Sequence, residues 1–133
     1  MGRGTGVLQA YHIYYLTRGL TTTILGTTSL QMARSSGMAQ NNLLVMRGLG
    51  FTLGPVMTGS LLGKAMWSGE SQSTFVLLLT VKSMCEFFIP AFAERAFLLC
   101  MALFTLGFAM AVIGTFMNIL LCQIHGERCS VPL

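Results

Sequence analysis

The sequence predicts an all-α, polytopic membrane protein with four transmembrane helices. Charged side chains are scarce, since the 133 residues include 8 Lys or Arg and 4 Asp or Glu, whereas 53% of the residues are hydrophobic. The mean hydropathy is +0.70. A soluble helical bundle would show a polar stripe along each helix, and long stretches of this chain lack one, which disfavours that alternative. Four segments also reach the length of about 20 residues that crosses about 30 Å of hydrocarbon.

The predicted helices belong to a single transmembrane domain that covers residues 1–133. They extend over residues 13–32, 43–66, 74–92 and 96–122. The first is the least hydrophobic of the four, because Arg18 and several threonines lie within it. We therefore expect the first helix to insert beside its neighbours more readily than alone.

Polar connections separate the first three predicted helices. Residues 33–42 form one polar stretch and residues 67–73 form the other, as expected of exposed loops. Between the third and fourth helices the sequence offers Pro90 and the charged residues Glu94 and Arg95. A single long apolar helix is the alternative here, but proline and adjacent charges favour a tight turn.

The distribution of basic residues predicts the orientation in the membrane. Four crossings place both termini on one side, together with Arg3, Lys64 and Arg128, whereas Arg34 and Arg95 lie opposite. Because more basic residues lie on the side of the termini than on the opposite side, cytoplasmic termini are favoured. The amino-terminal residues lack the pattern of a cleaved secretory signal, and the plasma membrane is the default location because no other sorting signal is evident.

Several classes of function are disfavoured by the sequence. The basic residues are scattered singly, so no nucleic-acid partner is expected. No metal site, disulfide framework or cofactor is predicted from the cysteine spacing. The cysteines are Cys85, Cys100, Cys122 and Cys129. We expect no enzymatic activity, because the chain has no nucleophile and base arrangement, P-loop or dinucleotide fingerprint.

Lys82 and Glu86 are the first candidates for a functional site. They lie four residues apart on one face of the third predicted helix, where unpaired charges are costly, so they should face protein or water. One interpretation is an ion pair that fixes the helix against its neighbours. The other interpretation is that Lys82 or Glu86 lines a path for a solute or ion. Lys before Glu is the weaker order for an ion pair within a helix, which slightly favours the solute-path interpretation.

Small residues on the second predicted helix indicate close helix packing. Gly50 and Gly54 form one small-xxx-small spacing, and Gly59 and Gly63 form another, with Pro55 between them. Proline inside a helix favours a bend. A hinge of the kind found in transporters that rock between two states is the alternative interpretation.

Two further helices carry faces of small and polar residues. On the fourth helix this face comprises Gly107, Ala111, Gly114 and Asn118, with Thr115 beside it. The matching face of the first helix comprises Gly19, Thr22, Gly26 and Ser29. Such faces either pack closely or line a polar cavity. The candidate solute-path residues are therefore Lys82, Glu86, Thr115, Asn118, Thr22 and Gly26.

A family resemblance rests on two stretches of the chain. Residues 54–64 contain Gly54-Pro55, Gly59-Ser60-Leu61-Leu62 and Gly63-Lys64, and residues 107–110 (Gly-Phe-Ala-Met) lead to Thr115 and Asn118. These stretches, with the helix order and spacing over residues 14–127, resemble the amino-terminal part of a major facilitator superfamily transporter. More narrowly, they are similar to the fucose-permease-like and sodium-dependent glucose transporter-like branch.

The resemblance implies a partial major facilitator fold. Such transporters have twelve helices in two halves with the solute site between them, so it implies an incomplete chain that needs the remaining helices or oligomer partners. The chain departs from the family in two places. It lacks the acidic residue of a cytoplasmic motif near Gly63, and Gly114 stands where relatives often carry an acidic residue. Glu86 is then the acidic group well inside a predicted span.

The predicted function is membrane transport of a small polar, sugar-like solute by alternating access within a lipid bilayer. The alternative is a small tetraspan membrane protein that acts as a structural or assembly partner without transport. A small multidrug-type dimer of four-helix chains ranks lower. Such proteins depend on an acidic residue in the first helix, and none occurs between residues 13 and 32.

Overall fold

The computed structural model describes residues 3–59 and 71–125, and all regular structure within these ranges is helical. The four α-helices are α1 (Arg3–Ser36), α2 (Gln40–Met57), α3 (Ser71–Phe88) and α4 (Ala96–His125). A short 3₁₀ helix, Pro90–Phe92, joins α3 to α4. The predicted all-α class is confirmed.

Helix α1 extends beyond the predicted range 13–32 at both ends. The prediction counted the apolar residues needed to cross hydrocarbon, whereas backbone hydrogen bonding continues through the polar flanks. The helix ends before Gly37, which has a φ of 68°, and the Met38 N–H donates to the Ala33 carbonyl at 3.1 Å. This is a glycine C-cap, and it shortens the predicted loop 33–42 to three residues.

Helix α2 begins three residues before the predicted start of 43. It ends at Met57 with Pro55 in its last turn, and residues 58–59 continue with wider π-type hydrogen bonding. The end predicted for the second helix, Gly63 and residues 67–70 of the following connection lie outside the described residues. Residues 71–73, predicted to belong to that connection, are instead the first residues of α3, which begins at Ser71 and not at residue 74. The structure therefore tests the first part of the second predicted helix.

The turn before α4 is present as predicted, and α3 and α4 are separate helices. Helix α3 ends at Phe88, not at residue 92, because Pro90 lacks the N–H donor that the next α-helical hydrogen bond would need. The Arg95 N–H then closes the turn by donating to the Phe92 carbonyl at 2.9 Å. Helix α4 begins at Ala96 as predicted and runs to His125, three residues beyond the predicted end.

Helix α4 is the central element of the described bundle. It packs along α2 and α3, and α1 contacts it more sparsely. Most of its side chains between residues 99 and 117 are buried. The main apolar cluster includes Leu25, Leu43, Leu99, Leu103, Leu106 and Met110. On the α3 side, Phe75 stacks on Phe116 with ring centroids 5.0 Å apart.

Glycines bring the backbones of α2 and α4 into direct contact. A Cβ atom on Gly50 would collide with the carbonyl oxygen of Phe104, and one on Gly107 would collide with that of Arg47. A Cβ on Gly54 would lie 2.6 Å from a side-chain carbon of α4. These three glycines occupy the packing positions that the small-residue spacing predicts.

Other predicted packing glycines have more room. A Cβ on Gly59 would meet no described atom within 4 Å, so the described part of the chain gives this residue no packing role. A Cβ on Gly114 would lie 3.5 Å from the Tyr14 hydroxyl, which is an ordinary contact. The predicted face of α4 is therefore divided: its first part approaches α2 and its second part approaches α1.

Large apolar side chains cover the outer surfaces of the helices. Among the most exposed are Ile13, Leu16, Leu20, Val56, Leu77, Phe87 and Phe97, at 56–78% of their full exposure. Within the described ranges, one segment, Ala96–Ile119 of α4, is long and apolar enough to cross a membrane. Its mean hydropathy is 2.5, and 56% of it is buried inside the bundle.

Candidate functional site

A layer of charged and hydroxyl side chains lies where α1 faces α2, α3 and α4. Lys82 on α3 is 5% exposed, and its Nζ donates to Glu86 Oε1 at 2.6 Å. Thr21 on α1 donates from Oγ1 to the same carboxylate oxygen at 2.8 Å. Within the described part of the chain this is the single ion pair. The pair thus forms despite the less favourable residue order, and it connects α3 to α1.

Two arginines extend this polar layer toward α2. Arg47 of α2 donates from Nη2 to Thr22 Oγ1 of α1 at 3.0 Å and lies 3.9 Å from the Met110 sulfur of α4. The guanidinium carbon of Arg18, on α1, lies 5.2 Å from the centroid of the Phe51 ring of α2. Both side chains are half-buried. Each of them therefore contacts a neighbouring helix and keeps part of its surface exposed.

The layer carries an excess of positive charge. Arg47 interacts electrostatically with Arg18, which repels it, and with Glu86, which attracts it. No described carboxylate lies within ion-pair distance of either arginine. The layer therefore holds three cations, Arg18, Arg47 and Lys82, and one carboxylate, Glu86. Its formal excess is two positive charges.

Tyr14 fixes the first part of α1 to α4. Its hydroxyl donates to the Met110 carbonyl at 2.7 Å, and the residue is 5% exposed. The neighbouring Tyr15 makes a longer bond, 3.4 Å, from its hydroxyl to Asn118 Oδ1 at an exposed position. Tyr14 is thus the buried anchor of the two tyrosines.

We expect Tyr14→Phe to lower the free energy of unfolding by about 1 kcal/mol, the usual net contribution of an internal hydrogen bond. Thermal unfolding in detergent is the measurement. Tyr15→Phe is the matched control and should unfold at nearly the wild-type temperature, because its bond is long and exposed. Equal losses for the two variants would contradict the assignment of Tyr14 as the anchor.

A cleft of about 440 Å³ opens between α1 and the end of α3. Its size falls in the usual range for sites that hold small molecules. Thr21, Thr28, Gln31, Ser35 and Glu86 supply its polar groups. Aliphatic side chains and the 3₁₀ turn form the remaining walls. The cleft therefore offers a carboxylate, hydroxyls and an amide to a ligand within a mainly apolar enclosure.

The structure brings half of the predicted solute-path residues together. Lys82, Glu86 and Thr22 lie in the polar layer. Gly26 is exposed on α1, and a Cβ there would meet no described atom within 4 Å.

The two candidates on α4 lie apart from this layer, each with its own partner. Thr115 donates from Oγ1 to the Ala111 carbonyl of its own helix at 3.0 Å. Asn118 is exposed and accepts the long bond from Tyr15.

Arg18 and Arg47 are the site residues that the sequence interpretation missed. In the sequence, Arg18 was interpreted only as a residue that lowers the hydrophobicity of the first predicted helix. A signal was present, because arginine inside a predicted membrane span is rare and usually functional. The convergence of the two arginines could not be found from spacing, since they lie on different helices.

Metal-binding groupings are not evident in the part of the chain that the structure describes. No group of three or more His, Cys, Asp or Glu side chains lies close enough there to hold a metal ion. The described cysteines, Cys85, Cys100 and Cys122, are free thiols. The polar layer is therefore the strongest candidate site among the described residues.

Comparison with known proteins gives no family for this chain. No protein family, no curated protein and no solved structure matches it. The resemblance to major facilitator transporters therefore stays a prediction from the sequence. The function has to be argued from the polar layer, the cleft and the apolar outer surface.

Proposed function

We propose that the chain crosses a lipid bilayer four times and forms part of a carrier for a small polar solute. The observation that supports this most directly is the distribution of side chains. The charged side chains of Arg18, Arg47, Lys82 and Glu86 are half-buried or buried between the helices, whereas large apolar side chains are exposed on the outer faces. In water such an outer surface favours aggregation, but in hydrocarbon both features stabilise the protein.

Helix lengths agree with this proposal. At about 1.5 Å per residue, the 18 residues of α2 span about 27 Å, close to the hydrocarbon thickness. The 34 residues of α1 span about 51 Å and would extend into the interfacial region. Among the described helices α4 is the one that is highly apolar along its length, but Arg18, Arg47, Lys82 and Glu86 on the other helices are half-buried or buried, so those helices can insert beside it.

A transport function is supported by the charged layer and the cleft together. Ionisable residues at membrane depth commonly mark solute paths, and the cleft shares Thr21 and Glu86 with the charged layer. The resemblance to the amino-terminal part of a major facilitator transporter adds alternating access as the mechanism. The remaining helices of such a carrier, or oligomer partners, would complete the cavity. We place it in the plasma membrane with cytoplasmic termini, and propose no enzymatic activity.

Cysteine labelling in intact cells tests the proposed topology. In a background without native cysteines, Ala39→Cys and Glu94→Cys place single thiols at exposed positions in the α1–α2 and α3–α4 connections. We expect an impermeant thiol reagent to label both from outside the cell, and a tag at either terminus to be reached only after permeabilisation. Leu99→Cys, at a position with 0% exposure, is the unlabelled control. Labelling of both connections from the side of the termini would overturn the four-span proposal.

The second candidate function is a tetraspan assembly partner without transport. The observation in its favour is that Lys82, Glu86 and Thr21 satisfy one another without any solute. Uptake of radiolabelled hexoses, nucleosides and organic anions separates the two candidates when it is measured in cells that express the chain together with the helices or oligomer partners that complete the cavity. Accumulation of one of these solutes above control cells supports the carrier. A correctly inserted protein that accumulates none of them favours the assembly partner.

A further inference from the structure

We infer that the transported solute carries an oxyanion, a carboxylate or phosphate group, which binds between Arg18 and Arg47. This inference rests on the proposed carrier function and names the chemical class of its solute. It follows from the charge balance of the polar layer, from the hydrogen-bonding capacity of the two guanidinium groups and from their position between α1 and α2.

The charge balance favours an additional anion. Lys82 is already neutralised by Glu86, whose Oε1 also accepts the Thr21 hydroxyl. Arg18 and Arg47 repel each other, and no described carboxylate pairs with either. Two unpaired cations at membrane depth are costly, because hydrocarbon neither solvates nor screens them. A bound anion would remove this cost.

The guanidinium groups of the two arginines suit an oxyanion. A guanidinium has five N–H donors in a planar fork that matches a carboxylate or phosphate. Arg47 directs Nη2 to Thr22 and has further donors on the same group. The guanidinium carbon of Arg18 lies 5.2 Å from the centroid of the Phe51 ring and 5.7 Å from that of the Tyr15 ring, and the group also interacts with the Tyr14 hydroxyl, which leaves its other N–H donors for an anion. The two forks therefore provide several donors for one anionic group.

The position of the arginine pair suits a solute that binds during transport. Arg18 comes from α1, which packs sparsely on the other helices, and Arg47 comes from α2, which is held tightly against α4. Beside them on α1, Gly19 and Gly26 are exposed, and a Cβ on either would meet no described atom within 4 Å. An anion bound here would connect a loosely held helix to the firmly packed part of the bundle.

Thermal unfolding with three probe compounds tests the inference. The full chain, in nanodiscs of zwitterionic lipid, is heated with inorganic phosphate, glucose 6-phosphate or glucose. Binding to the folded state raises the unfolding temperature as probe concentration rises. We expect a shift with the two phosphate compounds and none with glucose. We expect Arg47→Gln and Arg18→Gln to raise the apparent Kd about ten- to hundredfold, since each removes charged hydrogen bonds.

Two further variants keep the test decisive. Arg34→Gln removes a positive charge from an exposed position in the last turn of α1 and should bind phosphate like the wild type. Arg47→Lys keeps the positive charge and takes the place of Arg47→Gln in the test if Arg47→Gln fails to fold. The lysine variant should bind phosphate more weakly than the wild type because the planar guanidinium fork is lost.

Three results would overturn the inference. The first is an equal shift with glucose and glucose 6-phosphate. The second is phosphate binding unchanged in Arg18→Gln and Arg47→Gln. The third is a shift that appears only when anionic lipid is added to the nanodiscs, which would assign the arginines to a lipid headgroup. An uptake measurement distinguishes a failure of this inference from a failure of the proposed function. If a neutral solute is taken up and Arg47→Gln does not change that uptake, the carrier proposal stands and the inference that the solute is an anion is wrong.

Discussion

Gly50→Ala is expected to separate α2 from α4 and to cause a large loss of stability. The added methyl group would collide with the Phe104 backbone carbonyl, and a backbone cannot rotate away as a side chain can. Overpacking in a well-packed interior costs about 1–3 kcal/mol, and a backbone collision places this variant at about 3 kcal/mol or above. The fall in unfolding temperature in detergent measures it.

Gly48→Ala is the matched control for this substitution. Gly48 lies on the same helix and is exposed, and an added Cβ there would meet no described atom within 4 Å. This variant should unfold at or slightly above the wild-type temperature, because alanine favours helix more than glycine does. Equal stability of Gly50→Ala and Gly48→Ala would show that the α2–α4 contact is looser than we describe.

Glu86→Gln is expected to produce the second large effect, because it leaves the buried Lys82 ammonium without its counter-charge. Breaking a buried ion pair from one side costs about 3–5 kcal/mol, and we expect about 3 kcal/mol because the Glu86 side chain is 29% exposed. The double variant Lys82→Leu and Glu86→Met removes both charges and should restore most of the lost stability. The measurement is the unfolding temperature of all three proteins.

The same variants separate a structural pair from a solute path. If the double variant inserts, unfolds like the wild type and still supports uptake, the pair only fixes α3 against α1. If it inserts and is stable but uptake is lost, Lys82 and Glu86 belong to the path. A double variant as unstable as Glu86→Gln would contradict the account of an isolated pair and would indicate that other charges in the layer depend on it.

Parts of the architecture could be predicted because they depend on local sequence. The start of α4 at Ala96 and the turn at Pro90 follow from proline and adjacent charges, which act on their own segment. The outer bounds of α1 could not be predicted in the same way. Hydropathy measures the length needed in hydrocarbon, whereas the end of the helix is set by the C-cap at Gly37.

The candidate site was predictable only in part. Lys82 and Glu86 lie four residues apart on one helix, so their pairing follows from helix geometry. Arg18 and Arg47 lie on two helices, and their proximity depends on how α1 crosses α2. Likewise, Gly50 and Gly59 each begin a small-xxx-small spacing in the sequence. Of these two glycines, Gly50 contacts a neighbouring backbone in the described structure and Gly59 does not.

The all-α class, the apolar character of α4, the turn at Pro90 and the placement of Lys82 and Glu86 on one helix face could be predicted from the sequence alone. Each depends on residue type or on spacing within one helix, and helical periodicity fixes such relations before any tertiary packing. The tertiary structure decided which glycines carry backbone contact and which charges share the polar layer. Those relations join residues of different helices, and they depend on the crossing and rotation of the helices, which a single sequence does not specify.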